Sequence, residues 1–252
     1  MIIDEVANEV LKLINEDLVL TELCVGVRYT YAIVKGKHGI AMGVAHTLLS
    51  DLPHGVWLEK KPNISDILDF VSSCNILYKI IGIAMLNAVS QYLIKFGDYK
   101  SGLIFNTDIL DVLDIRSEDH VVFVGNIRPL VSKVKERTSS IDVLERSPFS
   151  RDDAKPDVLA PRIIPKATVL LITGSTLEND TLDYVLSLAS RARVKALVGP
   201  TAQILPQSLK GYVDLVASIM IRDVEKAIEA IRLCGGTKAL LRHSEKYVAK
   251  VT

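Results

Sequence analysis

The chain is 252 residues long and 49% hydrophobic, enough to bury a substantial core as one large domain or two modest ones. Its 30 basic and 30 acidic side chains cancel, which excludes a whole-molecule field that would draw it to nucleic acid or to an anionic membrane. Cys24, Cys74 and Cys234 are odd in number, far apart and without a CxxC pair; this speaks against a disulfide framework or a thiolate zinc site and fits a reducing, cytoplasmic setting.

The opening stretch, MIIDEVANEVLKLINEDL, lacks the basic start, apolar core and small-residue cleavage site of a signal peptide. Val6, Val10, Leu11 and Ile14 instead form an apolar stripe at helical spacing. Three strand-like runs follow, Leu18 to Val27, Tyr29 to Lys35 and Ile40 to His46, the last two meeting at a GKHG hairpin turn. A connection bearing Pro and Gly, Ser50 to Asn63, leads to a short helix starting near Ser65, with the Ser65 hydroxyl as its cap. A long helix runs from about Leu77 to Phe96. Its apolar length would suit a membrane span, but Lys79, Asn87, Ser90 and Gln91 interrupt it and favour a buried core helix. Strands followed by helices indicate an α+β unit with a boundary between Phe105 and Glu118.

From Val121 the rhythm changes to apolar strands that end in glycine-bearing or polar turns. Strand Val121 to Val124 passes through Gly125 into a helix at Leu130 to Arg137, and strand Ile141 to Leu144 follows. Pro148, Pro156, Pro161 and Pro165 make a continuous helix between Arg146 and Lys166 implausible, so a long irregular crossover is expected there, a candidate lid. Strand Val169 to Ile172 meets the turn ThrGlySerThr, a helix spans Thr181 to Arg191, Lys195 to Val198 precedes GlyProThr, and a last strand lies near Val213 to Ala217. Asp223 caps a closing helix whose Val224, Ala227, Ile228 and Ile231 share one face. A five-stranded parallel sheet of order 2-1-3-4-5 is the simplest arrangement, because every crossover is then right-handed. Such a sheet gathers its polar turns into one crevice at the carboxyl edge, where open α/β sheets bind ligands.

VGNIRPLVSKVKER, DVLERSP, VLLITGSTLENDTLD and LVGPTAQILPQSLKGYVDLVASIMIRDVEKAIEAIRLCGG together resemble the carboxyl-terminal domain of the family described as putative heavy-metal chelation, a family of unknown function. SSCNILYKIIGIAMLNAVSQYL and the sheet before it resemble that family's amino-terminal domain. The resemblance implies an α/β protein with an enolase-N-like α+β domain over residues 1–110 and a Rossmann-like domain over 111–252, with a site in the cleft between them. It also implies an acidic residue just after the Asn of the long-helix motif, where this chain has Tyr78 and Lys79.

Each turn then offers a different chemistry. Gly125, Asn126 and Arg128 suit an anion at a helix start, although the full GxGxxG fingerprint of a dinucleotide site is absent. Glu145, with Arg146 beside it, stands about twenty residues beyond Gly125, where dinucleotide-binding folds place a ribose-binding acid; pairing of Glu145 with a neighbouring Arg is the plainer reading. Thr173, Gly174, Ser175 and Thr176 supply hydroxyls and amides, or simply a local turn. Glu178, Asp180 and Asp183 crowd a helix start and read first as caps, with a hard cation as the functional alternative. Gly199, Pro200 and Thr201 form a stiff turn open to close approach. Asn75 and Asn87 lie near one face of the long helix, about three turns apart, and buried amides there need partners. His38, His46 and His54 recur at even spacing but flank separate turns, which does not make a metal site.

The function these features favour is binding of a small anionic or metal-chelating ligand in the cleft, with a metal ion or nucleotide-like molecule as the cofactor class. A group-transfer enzyme and a non-catalytic assembly protein, including a homo-oligomer, are the alternatives. Neither nucleic acid nor membrane is expected as a partner.

Overall fold

The structure, a computed structural model, describes residues 1–100 and 102–251. Helix α1 (Ile2–Lys12) leads into three antiparallel strands, β1 (Val19–Val25), β2 (Tyr29–Gly36) and β3 (Gly39–His46), which pair in the order β1-β2-β3. Strand β2 shows no alternation, since its residues from Tyr29 to Val34 are all buried. The reason is that both faces of this small sheet are covered. Ala32, Val34, Ala41 and Ala45 face the main core, while Tyr31, Ile33, Met42 and Val44 pack on residues further along the chain, Ile219, Ile221, Ala227 and Ile231.

The short helix α2 (Ile67–Val71) is preceded by a single 3-10 turn, Ile64–Asp66. Asn63 is the N-cap of that turn, its N–H donating to the Asp66 carboxylate at 2.7 Å, and Asp66 is the N-cap residue of α2, one position beyond the expected Ser65. Helix α3 (Ile76–Phe96) is buried from Ile80 to Ile94 and lies against β2 and β3. It is long and apolar enough to cross a membrane, yet 89% of its most apolar window is buried within this protein. The polar residues that interrupt it are buried too, and Asn87 and Gln91 spend their amide N–H groups on backbone carbonyls of Val44, Thr201 and Gln203.

The second sheet draws on both halves of the chain. After β4 (Leu103–Phe105) and helix α4 (Ile109–Val112) come β5 (Val121–Val124), α5 (Arg128–Val134), β6 (Ile141–Glu145), β7 (Lys155–Pro156), α6 (Ala160–Ile163), β8 (Val169–Thr173), α7 (Leu182–Leu188) and β9 (Val194–Val198). Strand β10 (Leu215–Ile221), helices α8 (Val224–Arg232) and α9 (Thr237–Leu241) and β11 (Ser244–Lys250) complete it. The strands lie in the order β4-β11-β10-β9-β8-β5-β6-β7. The five central strands are parallel and follow the expected order, β6-β5-β8-β9-β10.

Three strands exceed the expected five. Strand β7 extends one edge, and β11 and β4 add an antiparallel pair on the other. In SEKYVAK only Tyr247, Val248 and Ala249 are buried; the surrounding charges hide a strand whose pairing is set by the exposed edge of β10. Nor is the stretch from Arg146 to Lys166 wholly irregular. Beyond β7 it winds through 3-10 turns at Asp157–Leu159 and Ile164–Lys166 around α6, because Pro161 and Pro165 each sit at the start of a turn, where no amide donor is needed.

One buried cluster joins the halves. Val6, Val10, Ile80 and Ile83 share it with Val122, Leu170, Leu197 and Leu209, so burying the outer face of α3 and one face of the large sheet is a single event.

Candidate functional site

The turns after the parallel strands gather at one edge, and their side chains are largely engaged with one another. Gly125 has φ +101°, and a Cβ there would come within 2.7 Å of the Thr173 side chain. The Glu145 carboxylate accepts the N–H of Asn126 through Oε2 and that of Ser147 through Oε1, both at 2.8 Å. The Asn126 amide donates to the Ser150 carbonyl at 2.9 Å, and Arg128 pairs with Asp152 at 2.8 Å. The segment following β6 is thus tied down over the first turn. Glu145 bonds to backbone amides rather than to a neighbouring arginine side chain.

Thr173 caps the turn after β8 by accepting from the Ser175 N–H, and the Thr176 hydroxyl donates to the Thr173 carbonyl at 2.8 Å. A Cβ on Gly174 would stand 2.7 Å from the Ala202 nitrogen, so the close approach there is between this turn and the Gly199–Thr201 turn. Pro200 and Thr201 are buried. The Thr201 hydroxyl oxygen accepts the His46 N–H at 2.9 Å, and its carbonyl accepts from Asn87 at 2.8 Å; the Asn87 amide also reaches the Val44 carbonyl at 2.8 Å. Asn75 serves as the N-cap of α3, its Oδ1 accepting the Leu77 N–H at 3.0 Å.

Beside these turns lies a cavity of about 200 Å3 lined by Asp51, Ser73, Cys74, Ile76, Lys79, Arg146, Glu178, Asn179 and Asp180. One wall is the start of α3, another the turn after β8, and the Arg146–Asp51 ion pair, at 2.6 Å, crosses from one half of the chain to the other. The Lys79 ammonium, only 4% exposed, is paired with Asp180, a residue whose φ of +58° is uncommon for a side chain other than glycine. Glu178 is fully buried. The Thr201 hydroxyl reaches its Oε1 at 3.5 Å, while Oε2 has no partner among the described residues. Burial pushes the Glu178 carboxyl well above the ordinary range, against a smaller opposite pull from nearby donors, so its neutral form is favoured. His46 also loses basicity, first through burial and then through the nearby Arg28 charge.

Of the residues singled out from the sequence, Arg146, Glu178 and Asp180 line this cavity, and Asn75 fixes the helix start that forms its wall. Gly125, Asn126, Arg128, Glu145, the 173–176 turn, the 199–201 turn and Asn87 do not line it. The acids read as caps behave otherwise: α7 has no side-chain cap, Asp183 accepts the Ile2 N–H at 3.0 Å, Asp180 holds Lys79, and Glu178 is buried. Reasoning from sequence passed over Asp51, Cys74 and Lys79. A lysine flanked by apolar residues near the start of the long helix was the available signal for Lys79, because a buried cation needs a counter-ion.

Metal donors are sparse. Among the described residues no group of three or more His, Cys, Asp or Glu is placed to hold a metal ion. The ring of His38 stacks on Phe96 at 6.4 Å while that of His46 meets Tyr29 at 5.9 Å, so these two lie in different surroundings.

Two family models, both described as putative heavy-metal chelation, match residues 7–90 and 108–250. An uncharacterized protein of Methanocaldococcus jannaschii is 35% identical over 263 residues, which cover 100% of this chain and 98% of that one. The crystal structure of a protein with unknown function from Pyrococcus horikoshii superposes with a TM-score of 0.90 at 31% identity over 100% of both chains. Another, from Desulfitobacterium hafniense, gives 0.79 at 21% identity over 98% of each, a likeness of fold alone. With both models matched and a relative aligned along its whole length, this chain belongs to the family described as putative heavy-metal chelation.

Proposed function

We propose that the protein binds a small ligand in the crevice between its amino-terminal half and the carboxyl edge of the large sheet, the ligand being a small anion or a metal carried in an organic chelate. Glu178 carries this reading. Buried polar atoms are almost always paired, and those left unpaired call for a reason. Asn87 Oδ1 and Gln91 Oε1 are also unpaired, but of the unpaired acceptors only those of Glu178 and Asp180 belong to residues lining the cavity. A ligand that carries an N–H or O–H donor beside its anionic group would complete them.

The parallel core in 2-1-3-4-5 order supports a Rossmann-like reading of residues 111–252, and open sheets of that kind take ligands at this edge. The small antiparallel sheet with α2 and α3 is in keeping with an enolase-N-like unit over residues 1–110. Three unpaired thiols, Cys24, Cys74 and Cys234, accord with a reducing, cytoplasmic setting.

The family description directs attention to a metal, and the cavity residues do not fit a bare one. Asp51 is held by Arg146 and Asp180 by Lys79, burial favours neutral Glu178, and Cys74 is the one thiol in the lining. A metal already wrapped in a chelator makes no such demand, since the protein then recognises the organic shell. Metal analysis of gently purified protein, with thermal shifts against metal salts, nucleotides and metal chelates, tests the proposal. A ligand at a hundred times its Kd stabilises by about 2.7 kcal/mol, enough to move the melting temperature by several degrees in wild type. The same ligand should do much less for Lys79→Ala; indifference to every compound would refute the reading.

A further inference from the structure

We propose that a second cavity, at the opposite end of α3 from the crevice, binds a small organic amine in its protonated form, with the ammonium group held at the Glu16 carboxylate. The crevice is lined from the first turn of α3, at Ile76 and Lys79, and this cavity from the last, at Leu93 and Phe96, so the length of a 21-residue helix, about 30 Å, stands between them.

The cavity measures about 340 Å3, within the ~300–1,000 Å3 of small-molecule sites. It forms where the ends of α1 and α3 meet the turn between β2 and β3. Charge decides the class of ligand. No lysine or arginine lines the cavity, whereas Glu16 and Asp98 both do. Leu13 and Gly97, the residues that close α1 and α3, lie in its wall, so two helix carboxyl ends add partial negative charge. Lys95, on the last turn of α3, is directed elsewhere, its ammonium donating to the Ile40 carbonyl at 3.2 Å.

Glu16 is the fixed point. Its Oε2 accepts the Lys37 N–H at 2.6 Å and its Oε1 accepts the hydroxyl of the buried Tyr92 at 3.0 Å. The Lys37 N–H, against a smaller effect of desolvation and with help from Tyr92, holds the carboxyl below its ordinary range. Both donors are neutral, so the carboxylate keeps its charge, and each oxygen has a further lone pair to accept an N–H. The exposed His38 ring comes only to 3.9 Å.

Leu18, Leu93, Tyr92 and Tyr99 offer the apolar contact that an alkyl stem needs. The rings are closely seated: a Cβ on Gly97 would come within 3.1 Å of Tyr99, and one on Gly36 would meet the Tyr92 hydroxyl. Phe96 already carries the Lys95 ammonium at 5.0 Å from its ring centre and the stacked His38 ring at 6.4 Å. Its ring is therefore engaged, and the ligand's charge goes to the carboxylate through N–H groups. An anion would meet two acids and two helix carboxyl ends.

Calorimetric titration of the full chain at constant pH and ionic strength tests the assignment, with butylammonium chloride as the probe and butanol, sodium butyrate and tetramethylammonium chloride as controls. Saturable binding of butylammonium is expected. Butanol lacks the charge, butyrate inverts it and tetramethylammonium has no N–H for the carboxylate, so each should bind severalfold more weakly or not at all. Glu16→Gln should lower butylammonium affinity about tenfold, the usual worth of a hydrogen bond to a charged group. Asp98→Asn, at an exposed position that keeps the fold, should lower it severalfold, and Glu225→Gln, an exposed acid outside the cavity, should leave it unchanged. Affinity unaltered by both cavity variants, or lowered as much by Glu225→Gln, overturns the site. So does a control that binds as tightly as the probe, or the absence of saturable binding.

Discussion

Burial without an ion-pair partner favours the neutral form of a carboxyl group, and Glu178 is such a group among the residues that line the cavity beside the crevice turns. Asp119, also buried but nearer the surface, shows the opposite outcome. Desolvation pushes its carboxyl up, but the Arg193 guanidinium, the Thr168 hydroxyl and the Arg116 N–H together hold it down at about 2. The difference lies in how deeply each carboxyl is desolvated and in the donors and charge supplied to it. It has a consequence for stability. A raised carboxyl value in the folded state means stability present in full below the unfolded value and lost as pH rises through the folded one. Wild type should therefore weaken between acid and alkaline pH, while Glu178→Gln should be flatter and more stable than wild type at pH 8, as read by urea unfolding at pH 5 and pH 8. A wild type equally stable at both, unaltered in slope by the substitution, would show that Glu178 is ionised in the folded protein. None of this was legible in LENDTLD, where three acids near a helix start read alike.

Elements were more legible than residues, because periodicity and turn chemistry are local. The long helix, the hairpin and the five parallel strands lie where apolar spacing and glycine-bearing turns place them. Local signals failed where a partner element sets the conformation: β11 forms on the edge of β10, and α6 takes Pro161, one of the prolines that read as breakers, into its first turn. Asn87 links the two levels. From α3 it binds β3 through the Val44 carbonyl and the 199–201 turn through the Thr201 carbonyl, and so holds the small sheet, the long helix and the crevice rim in one geometry. Asn87→Ala should cost about 2–4 kcal/mol, since it leaves two buried carbonyls unpaired. Denaturant titration will show it as a lowered midpoint with unchanged slope; a cost under about 0.5 kcal/mol would mean that the linkage is slack.

At the scale of the whole molecule, the core runs through both halves and β4 from the first half pairs with β11 from the end of the second. Residues 111–252 expressed alone should therefore be less stable than the full chain, with exposed apolar surface that binds hydrophobic dye; a melting temperature equal to that of the full chain would show the second half to be self-sufficient. By itself the sequence determined the mixed α/β class, the five parallel strands and their sharp turns, the buried long helix and the family, since these follow from short-range pattern and turn chemistry. The tertiary structure alone decided which acid is pushed toward its neutral form, which lysine was drawn inside, and that Glu145 spends its carboxylate on backbone amides. Burial and hydrogen-bond partners arise from segments distant in the chain, and these set the protonation and reach of a side chain more than its neighbours in sequence do.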